Sequence, residues 1–482
     1  MRRYKIDYDR YRNCFADHAD VKTNLIIGDT EYVKKPFVSY IIPAYGRADL
    51  LEKTLYSVLA QKNVQCEWDV VVVDNNSEAE NETECLIRKM NNPKVLYYRN
   101  AENIGVDGNY NRCIEVARGE WVAMIHADDL IMDDHLSEMC KIIWDKEKYV
   151  NNIEPVYICQ RYIEFSDEND IITERKKINL SKESAVGLMN ILYNKGKPEL
   201  LTHNYALFTG FFAALPSFGT MMKRDIMLEY GGFDKELGIC EDIITPYRLA
   251  LKYGVYMAPL PMGYYRFNNN ESMKTDTILK IYNSMNDFHE YVYSKSIFSA
   301  LWGHVCRDIH KKTLVNYCIN LSRFGEKSLT KEDFIKFDVD INISPIKQFI
   351  FNFGINIFER KNGVKSYYDI VEDLLLLNDI SISRYIKEDK HFLIYGCGSI
   401  ANVLIPILKK NFKGILIDAS IVTDIEGKPK HIKNIPIKSV KEYSERGDVV
   451  VITATEIIEY QKEMNDALYK CGINNVINLI KK

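Results

Sequence analysis

A chain of 482 residues is too long for one ordinary core and implies two or three domains. With 46% hydrophobic and 27% charged residues it falls among soluble globular proteins, and a formal net charge of -4 argues against nucleic acid as a partner. No apolar run approaches the roughly 18 residues of a membrane span.

The start, "MRRYKIDYDRYRNCFADHAD", is basic but lacks the apolar core of a secretory signal. Eleven cysteines without close pairs argue against zinc and redox motifs and for reduced, buried thiols, so the protein is expected to be cytoplasmic. Residues 1–36 are polar and Tyr-rich and are treated as an N-terminal extension. From 37 to about 130 the pattern alternates strand and helix. "FVSYII" (37–42) ends at Pro43, and "ADLLEKTLYSVLAQK" follows with Leu51, Leu55, Val58 and Leu59 at helical spacing. Asp49 and Glu52 are spaced like a capping box. "WDVVVV" (68–73), "KVLYY" (94–98) and "WVAMI" (121–125) are further apolar runs without alternation. Such strands, separated by helices, predict a mostly parallel sheet covered on both faces.

Ligands of such sheets sit beyond the carboxyl ends of the strands. The residues expected there are Pro43, Ala44, Tyr45, Gly46 and Arg47; Asp74, Asn75, Asn76 and Ser77; Asn100 to Gly105; and His126 to Asp129. Asp128 and Asp129 end a buried strand in acid. Loop polarity accounts for that as far as it goes; two adjacent carboxylates also suit a divalent cation that neutralises a leaving diphosphate. Asp74 suits a base or ribose contact. Further on, Glu241 and Asp242 stand just before a helical segment with Pro246 in its first turn and Gly254 at its end. Acids favour helix N-termini on electrostatic grounds alone, so structural and catalytic readings both stand at this point.

Taken in order, "VSYIIPAYGRADLLEKTLYSVLAQ", "VVVVDNNSE", "NIGVDGNYNRCIEVARGEWVAMIHADD", "GTMMKRDIMLEYGGFDKEL" with "CED" and "YRLALKYG", and "YYRFNNNES" resemble the successive blocks of family 2 glycosyltransferases of the GT-A fold, across about 37–275. The resemblance implies inverting transfer from a nucleotide sugar, usually UDP-linked, to a hydroxyl of a glycan or lipid-linked acceptor, with Mn2+ or Mg2+. It implies nucleotide contacts at Pro43, Ala44, Tyr45, Arg47, Asp74, Asn76 and Asp128, metal contacts at Asp128 and Asp129, and Asp242 as general base, with Glu241 as the alternative. His126 stands where the family often has Asp. Asn268 stands where it often has a metal-binding His, and an amide oxygen is the weaker ligand. The Arg that the family often has where "GNYNRC" stands is displaced or missing, with Arg112 as the candidate substitute.

Residues 277–388 read as a helical linker or acceptor region. "INISPIKQFIFNFGINIF" (341–358) suits a core helix, or failing that a surface for a membrane or partner. In the last 94 residues "HFLIY" leads to Gly396, Gly398 and Ala401 and then to "GILID", ending at Asp418, 20 positions beyond Gly398. A backbone approach to a pyrophosphate needs that spacing, and an acid there suits a ribose hydroxyl. The unit resembles the small Rossmann-like domains of bacterial sugar-modifying enzymes. NAD(P) or another nucleotide, and a structural or homodimerisation module, are the competing readings.

The expected architecture is therefore α/β: a GT-A domain with a Rossmann-like mixed sheet over 37–276, the helical region, and a small Rossmann-like domain over 389–482. The main functional reading is a glycosyltransferase of capsule or lipopolysaccharide synthesis, cytoplasmic or peripheral at the inner membrane face. The alternatives are a nucleotide-sensing scaffold and a bifunctional enzyme.

Overall fold

The computed structural model describes residues 4–77, 82–165, 198–210, 217–266, 273–322, 327–337, 343–361, 375, 379–397, 399–426, 428–454 and 458–478. Asn268 and Gly398 lie outside them. The chain forms two compact units, and the described residues divide between them at 355/356.

In the first unit, β2 (Val38–Ala44), β3 (Trp68–Asp74), β4 (Val95–Asn100) and β5 (Trp121–Met124) run parallel in the spatial order β4-β3-β2-β5. The crossovers carry α1 (Ala48–Leu59), α2 (Glu82–Met90) and α3 (Gly105–Val116). The expected strands are therefore present, and their lack of alternation has a direct cause. Tyr40, Ile42, Val70 and Val72 pack into the core on one face, while Ile41, Val71 and Val73 pack into the core on the other. Beyond β5 the sheet continues through β9 (Thr220–Lys223), β7 (Pro155–Phe165) and β10 (Gly254–Arg266) to β6 (Leu130–Ile131), with β8 (Glu199–Leu201) beside β10. β9 is antiparallel to both its neighbours, which makes the sheet mixed.

The N-terminal residues are built into this unit. β1 (Thr23–Ile27) adds an antiparallel edge to β4. Tyr8 is wholly buried, and its ring packs on Tyr291 and Phe288 of α8 (Thr275–Ser294). Arg112 donates to the carbonyls of His18 (2.7 Å) and Val21 (2.8 Å), so it fastens the N-terminal segment and does not line the cleft as a substitute for the family's Arg. α8 and α9 (Ile297–Ser322) contribute Tyr282, Met285, Phe288, Cys306 and Leu314 to the same core as Ile41 and Val71. The helical middle is thus no separate linker up to residue 355. α4 (His135–Trp144), α5 (His203–Thr209), α6 (Arg224–Tyr230) and α7 (Glu241–Ala250) complete the cover.

Three local expectations need correction. α1 has no side-chain cap: Arg47 precedes it in the left-handed region (φ 51). Glu241 and Asp242 are the first two residues of α7, and Pro246 lies inside it. α10 (Pro345–Lys361) buries Phe351 against Trp302 but leaves Ile346, Phe349 and Phe353 exposed, so it is a half-buried helix.

The second unit holds α11 (Asp379–Lys387), β11 (His391–Tyr395), α12 (Ser399–Asn411), β12 (Ile417–Val422), β13 (His431–Ile432), β14 (Ile435–Ser439), β15 (Val449–Thr453), α13 (Ile458–Lys470) and β16 (Val476–Asn478). Its sheet order is β13-β14-β12-β11-β15-β16, parallel apart from β13, which is a doubly wound arrangement around β11. Gly396 (φ +124) follows β11 and Ala401 is buried in α12. Asp418, however, is the second residue of β12, beside Phe392 and Leu393 in register, and it pairs with His391 at 2.9 Å. It therefore lies at the opposite end of the sheet from the Gly396 turn. The expected pairing of pyrophosphate turn and ribose acid is not assembled, and NAD(P) has no support from it.

Gly231 tests how far the N-terminal segment belongs to the fold. Its φ is +104, and a Cβ there would meet the Arg12 carbonyl oxygen at 2.1 Å. Gly46 has a comparable φ of +64 but open space around it. Gly46→Ala should cost about 1–2 kcal/mol in urea unfolding, and Gly231→Ala about 1–3 kcal/mol more. Equal losses would show that residues 12–14 contribute nothing to this packing.

Candidate active site

The order β4-β3-β2-β5 changes direction at β2, so the loops after β2 and β5 diverge and leave a crevice between them. A cleft of 530 Å³ occupies this place. Its walls include Pro43 and Ala44 at the end of β2, Tyr45 and Arg47 after it, Asn75 after β3, His126 and Asp128 after β5, Tyr110 of α3, and Asp242 of α7.

Asp128 and Asp129 are adjacent in sequence but differ in surroundings. Asp128 lines the cleft, and its carboxylate is paired with the Arg47 guanidinium. Asp129 is wholly buried. One of its oxygens accepts from the Arg266 backbone N–H (2.8 Å), and the other meets His126 Nδ1 (3.1 Å). His126 Nε2 is in turn 3.2 Å from Ser217 Oγ. Burial lifts the Asp129 carboxyl to about 6, against the lowering effect of His126. Burial opposes charge on His126, but Asp129, with Asp128 and Asp242, outweighs it and raises that imidazole above its usual value.

Donor atoms of His126, Asp128 and Asp129 lie within 4.8 Å of one another. Oxygen donors of this kind suit Mg2+ or Mn2+, which need one or two carboxylates and complete their shell with water and phosphate oxygens. Asp128 is the member of the group whose carboxylate faces the cleft, so it is the fitting ligand. Arg47 supplies the countercharge that a cation would replace. Arg266 also reaches this corner, donating from Nε to the Asp128 carbonyl (2.8 Å).

Asp74 is buried and accepts three hydrogen bonds, from Ser77 N (2.8 Å), Ser77 Oγ (2.7 Å) and Tyr97 OH (2.9 Å). Ser77 Oγ accepts from Gly46 N (2.9 Å), so Asp74 shapes the turn that carries Tyr45 and Arg47. Asn76 sits behind the turn near Arg99, and Asn75 is the neighbour that lines the cleft. Asp242 lines the cleft as well; burial raises its carboxyl to about 6, with His126 acting the other way. Glu241 is outside the cleft lining and 6% exposed.

A network of asparagines braces the cleft; the sequence reading placed Asn75 and Asn100 to Gly105 at this edge but missed Asn109 and the bonds that join them. Asn75 Nδ2 donates to Asn103 Oδ1 and to the Gly105 carbonyl, each at 3.0 Å. Asn100 donates to Asn75 (3.1 Å) and to Asn109 (3.0 Å), and Asn109 donates to the Val73 carbonyl (3.1 Å). The signal was the density of Asn in "DNNSE" and "RNAENIGVDGNYN". Tyr110 was missed too: its ring stacks on His126 with centroids 6.1 Å apart.

The family model "Glycosyl transferase family 2" matches residues 39–216, a span that ends short of Asp242 and Arg266. The succinoglycan biosynthesis protein ExoO of Rhizobium meliloti is 36% identical over 22% of this chain and 29% of its own length. The abequosyltransferase RfbV of Salmonella typhimurium is 26% identical over 26% of this chain and 35% of its own length. The chain thus spans about a third of the length of these curated relatives. The S. aureus TarS 1–349 structure in complex with UDP-GlcNAc is 15% identical, covers 63% of this chain and 76% of that one, and gives a TM-score of 0.41. The parallel strands, the switch-point cleft and the sequence blocks of this chain fall largely within residues 39–216, the stretch that the glycosyl transferase family 2 model matches.

Proposed function

We propose that this chain transfers a sugar, with inversion, from a nucleotide sugar of the UDP type to a hydroxyl of a bacterial surface glycan or its lipid-linked precursor, in the cytoplasm or at the inner membrane face. One observation carries the reading: two carboxylates with different tasks, Asp128 and Asp242, line the same cleft. The names of the succinoglycan and abequosyl relatives support the class of product.

In this reading the nucleotide lies along Pro43, Ala44, Tyr45 and Asn75, over the turn that Asp74 braces. What a bound Mg2+ or Mn2+ supplies is neutralisation of charge growing on the leaving diphosphate. Asp128 would hold that ion, and the Arg47 guanidinium beside it would offer a second positive group to the phosphates. Asp242 accepts the proton of the acceptor hydroxyl as its oxygen attacks the anomeric carbon from the face opposite the diphosphate. Proximity to His126 favours the ionised form of Asp242 and burial disfavours it, which leaves the carboxyl near the working pH of a general base.

Asp242→Asn should lower kcat by about a hundredfold to ten-thousandfold while nucleotide affinity measured by calorimetry is kept. Full transfer by this variant would take the base role away from Asp242. A base must be ionised, so kcat/KM should fall as the pH drops through about 6. A level profile across that range would mean that another group accepts the proton. Asp128→Asn should remove the dependence of UDP binding on Mn2+; unchanged metal dependence would place the ion on other ligands.

A further inference from the structure

The eleven cysteines are all free, yet two that stand 74 positions apart in the chain meet in the fold. Cys66 lies in the bend before β3, and Cys140 lies on α4. Their Sγ atoms are 3.8 Å apart. The meeting follows from how α4 covers the sheet. Leu136, Met139, Cys140 and Ile142 of α4 share one core with Tyr40 and Trp68, and the partly buried Cys66 packs against that core. Three hydrogen bonds fix the approach. Lys62 N donates to the Asp133 carbonyl (2.6 Å), Gln61 Nε2 to the Met132 carbonyl (2.8 Å), and Leu136 N to Gln61 Oε1 (2.9 Å). The loop between α1 and β3 is thus tied to the start of α4. Cys140 is 2% exposed, whereas Cys66 is half-buried, so a small oxidant reaches Cys66 first.

We propose that Cys66 and Cys140 form a dithiol site that a peroxide converts to a disulfide, a reversible staple between the α1–β3 loop and α4. Sulfurs in a disulfide stand about 2.05 Å apart, so closure from 3.8 Å takes a movement of about 1.8 Å, which the bend at Cys66 can supply. The Cys66 thiolate attacks one peroxide oxygen and the O–O bond breaks. The hydroxide released takes up the proton that Cys66 gave up and leaves as water, and Cys66 is now a sulfenic acid. The Cys140 sulfur then attacks the Cys66 sulfur, the S–O bond breaks, and the departing hydroxide takes the Cys140 proton as water. Two thiols lose two electrons and two protons, and one peroxide becomes two waters. A dithiol reductant reverses the linkage. Donation from Cys140 lowers the Cys66 thiol against the effect of burial, and the positive Lys94, held at the Trp68 carbonyl (3.3 Å), acts the same way. The same bond, with burial, raises Cys140, which suits Cys66 as the sulfur that reacts first. The loop that the bond closes takes in β3, β4 and β5, so it restrains the unfolded chain across the strands that carry the cleft. Cys66 itself precedes the start of β3, whereas the cleft lies beyond the other end of that strand.

The test uses the full chain carrying Cys85→Ser, which removes an exposed thiol outside the pair. After treatment with hydrogen peroxide, peptide mapping without reductant should recover two peptides joined through Cys66 and Cys140, lighter than the free pair by two hydrogens. Dithiothreitol should undo the join. The linked chain should melt about 5 °C above the reduced one. Cys66→Ser should abolish both the join and the rise in Tm. If that variant fails to fold, Cys140→Ala gives the same reading. Neither readout depends on transfer, so both stand apart from the role of Asp242. Sulfinic or sulfonic acid at Cys66 with Cys140 still free, a join between other cysteines in place of this pair, or a linked chain that melts no higher than the reduced one would overturn the staple.

Discussion

The cleft depends on one buried carboxylate. Asp129 has no exposed surface, and a charge or acid in that position is costly unless every oxygen has a partner. Its partners come from separate parts of the chain: His126 just after β5, and the backbone N–H of Arg266 at the end of β10. Its carbonyl accepts from Thr54 of α1 at 2.8 Å. Three segments are thereby brought to one point: the loop after β5, the end of β10 and α1. Asp128, the next residue back, is left with its side chain facing the cleft and its carbonyl on Arg266. The pair of acids divides its labour by burial, one fixing the frame and the other facing the ligand.

The same division recurs around the site. Asp74 is buried and braces a turn, while Asn75 beside it lines the cleft. Glu241 is buried, while Asp242 beside it lines the cleft. In each case the backbone leaving a strand or entering a helix turns alternate side chains inward and outward. An inward acid must find donors or keep its proton. An outward one is available for chemistry. Asparagine does the remaining bracing because its amide both donates and accepts, and so can bridge the ends of β3 and β4 to α3 without adding charge.

Much of this was legible in the chain itself. The apolar runs at 37–42, 68–73, 94–98 and 121–125 have to be covered on both faces, and the strands they form are. The polar residues after them had to gather at one edge because parallel strands place all their carboxyl ends together. Local capping was less legible. Asp49 and Glu52 have the spacing of a capping box, yet Arg47 enters α1 in a left-handed conformation without a side-chain cap, and its guanidinium is engaged with Asp128, a long-range partner. The N-terminal residues were illegible for a related reason: Tyr8, Arg12 and the strand 23–27 have no periodic signal, and their partners Asp287, Asp234 and β4 lie far along the sequence. In the C-terminal unit the spacing from Gly398 to Asp418 counted residues correctly, but the strand begins one residue before Asp418 and does not end there.

The sequence by itself determined the doubly covered sheet, the edge at which its polar residues meet, and the identity of the acids found there. Those follow from local periodicity and from the geometry common to parallel strands. Only the tertiary structure decided which acid of each adjacent pair is buried and which faces the cleft, that Arg112 fastens the N-terminus, and that Asp418 stands at the far end of its strand. A one-residue change in where a strand starts or a helix begins moves a side chain from one face to the other, and no local pattern sets that boundary. It is set by contacts such as Asp129 with Arg266, between residues more than a hundred positions apart.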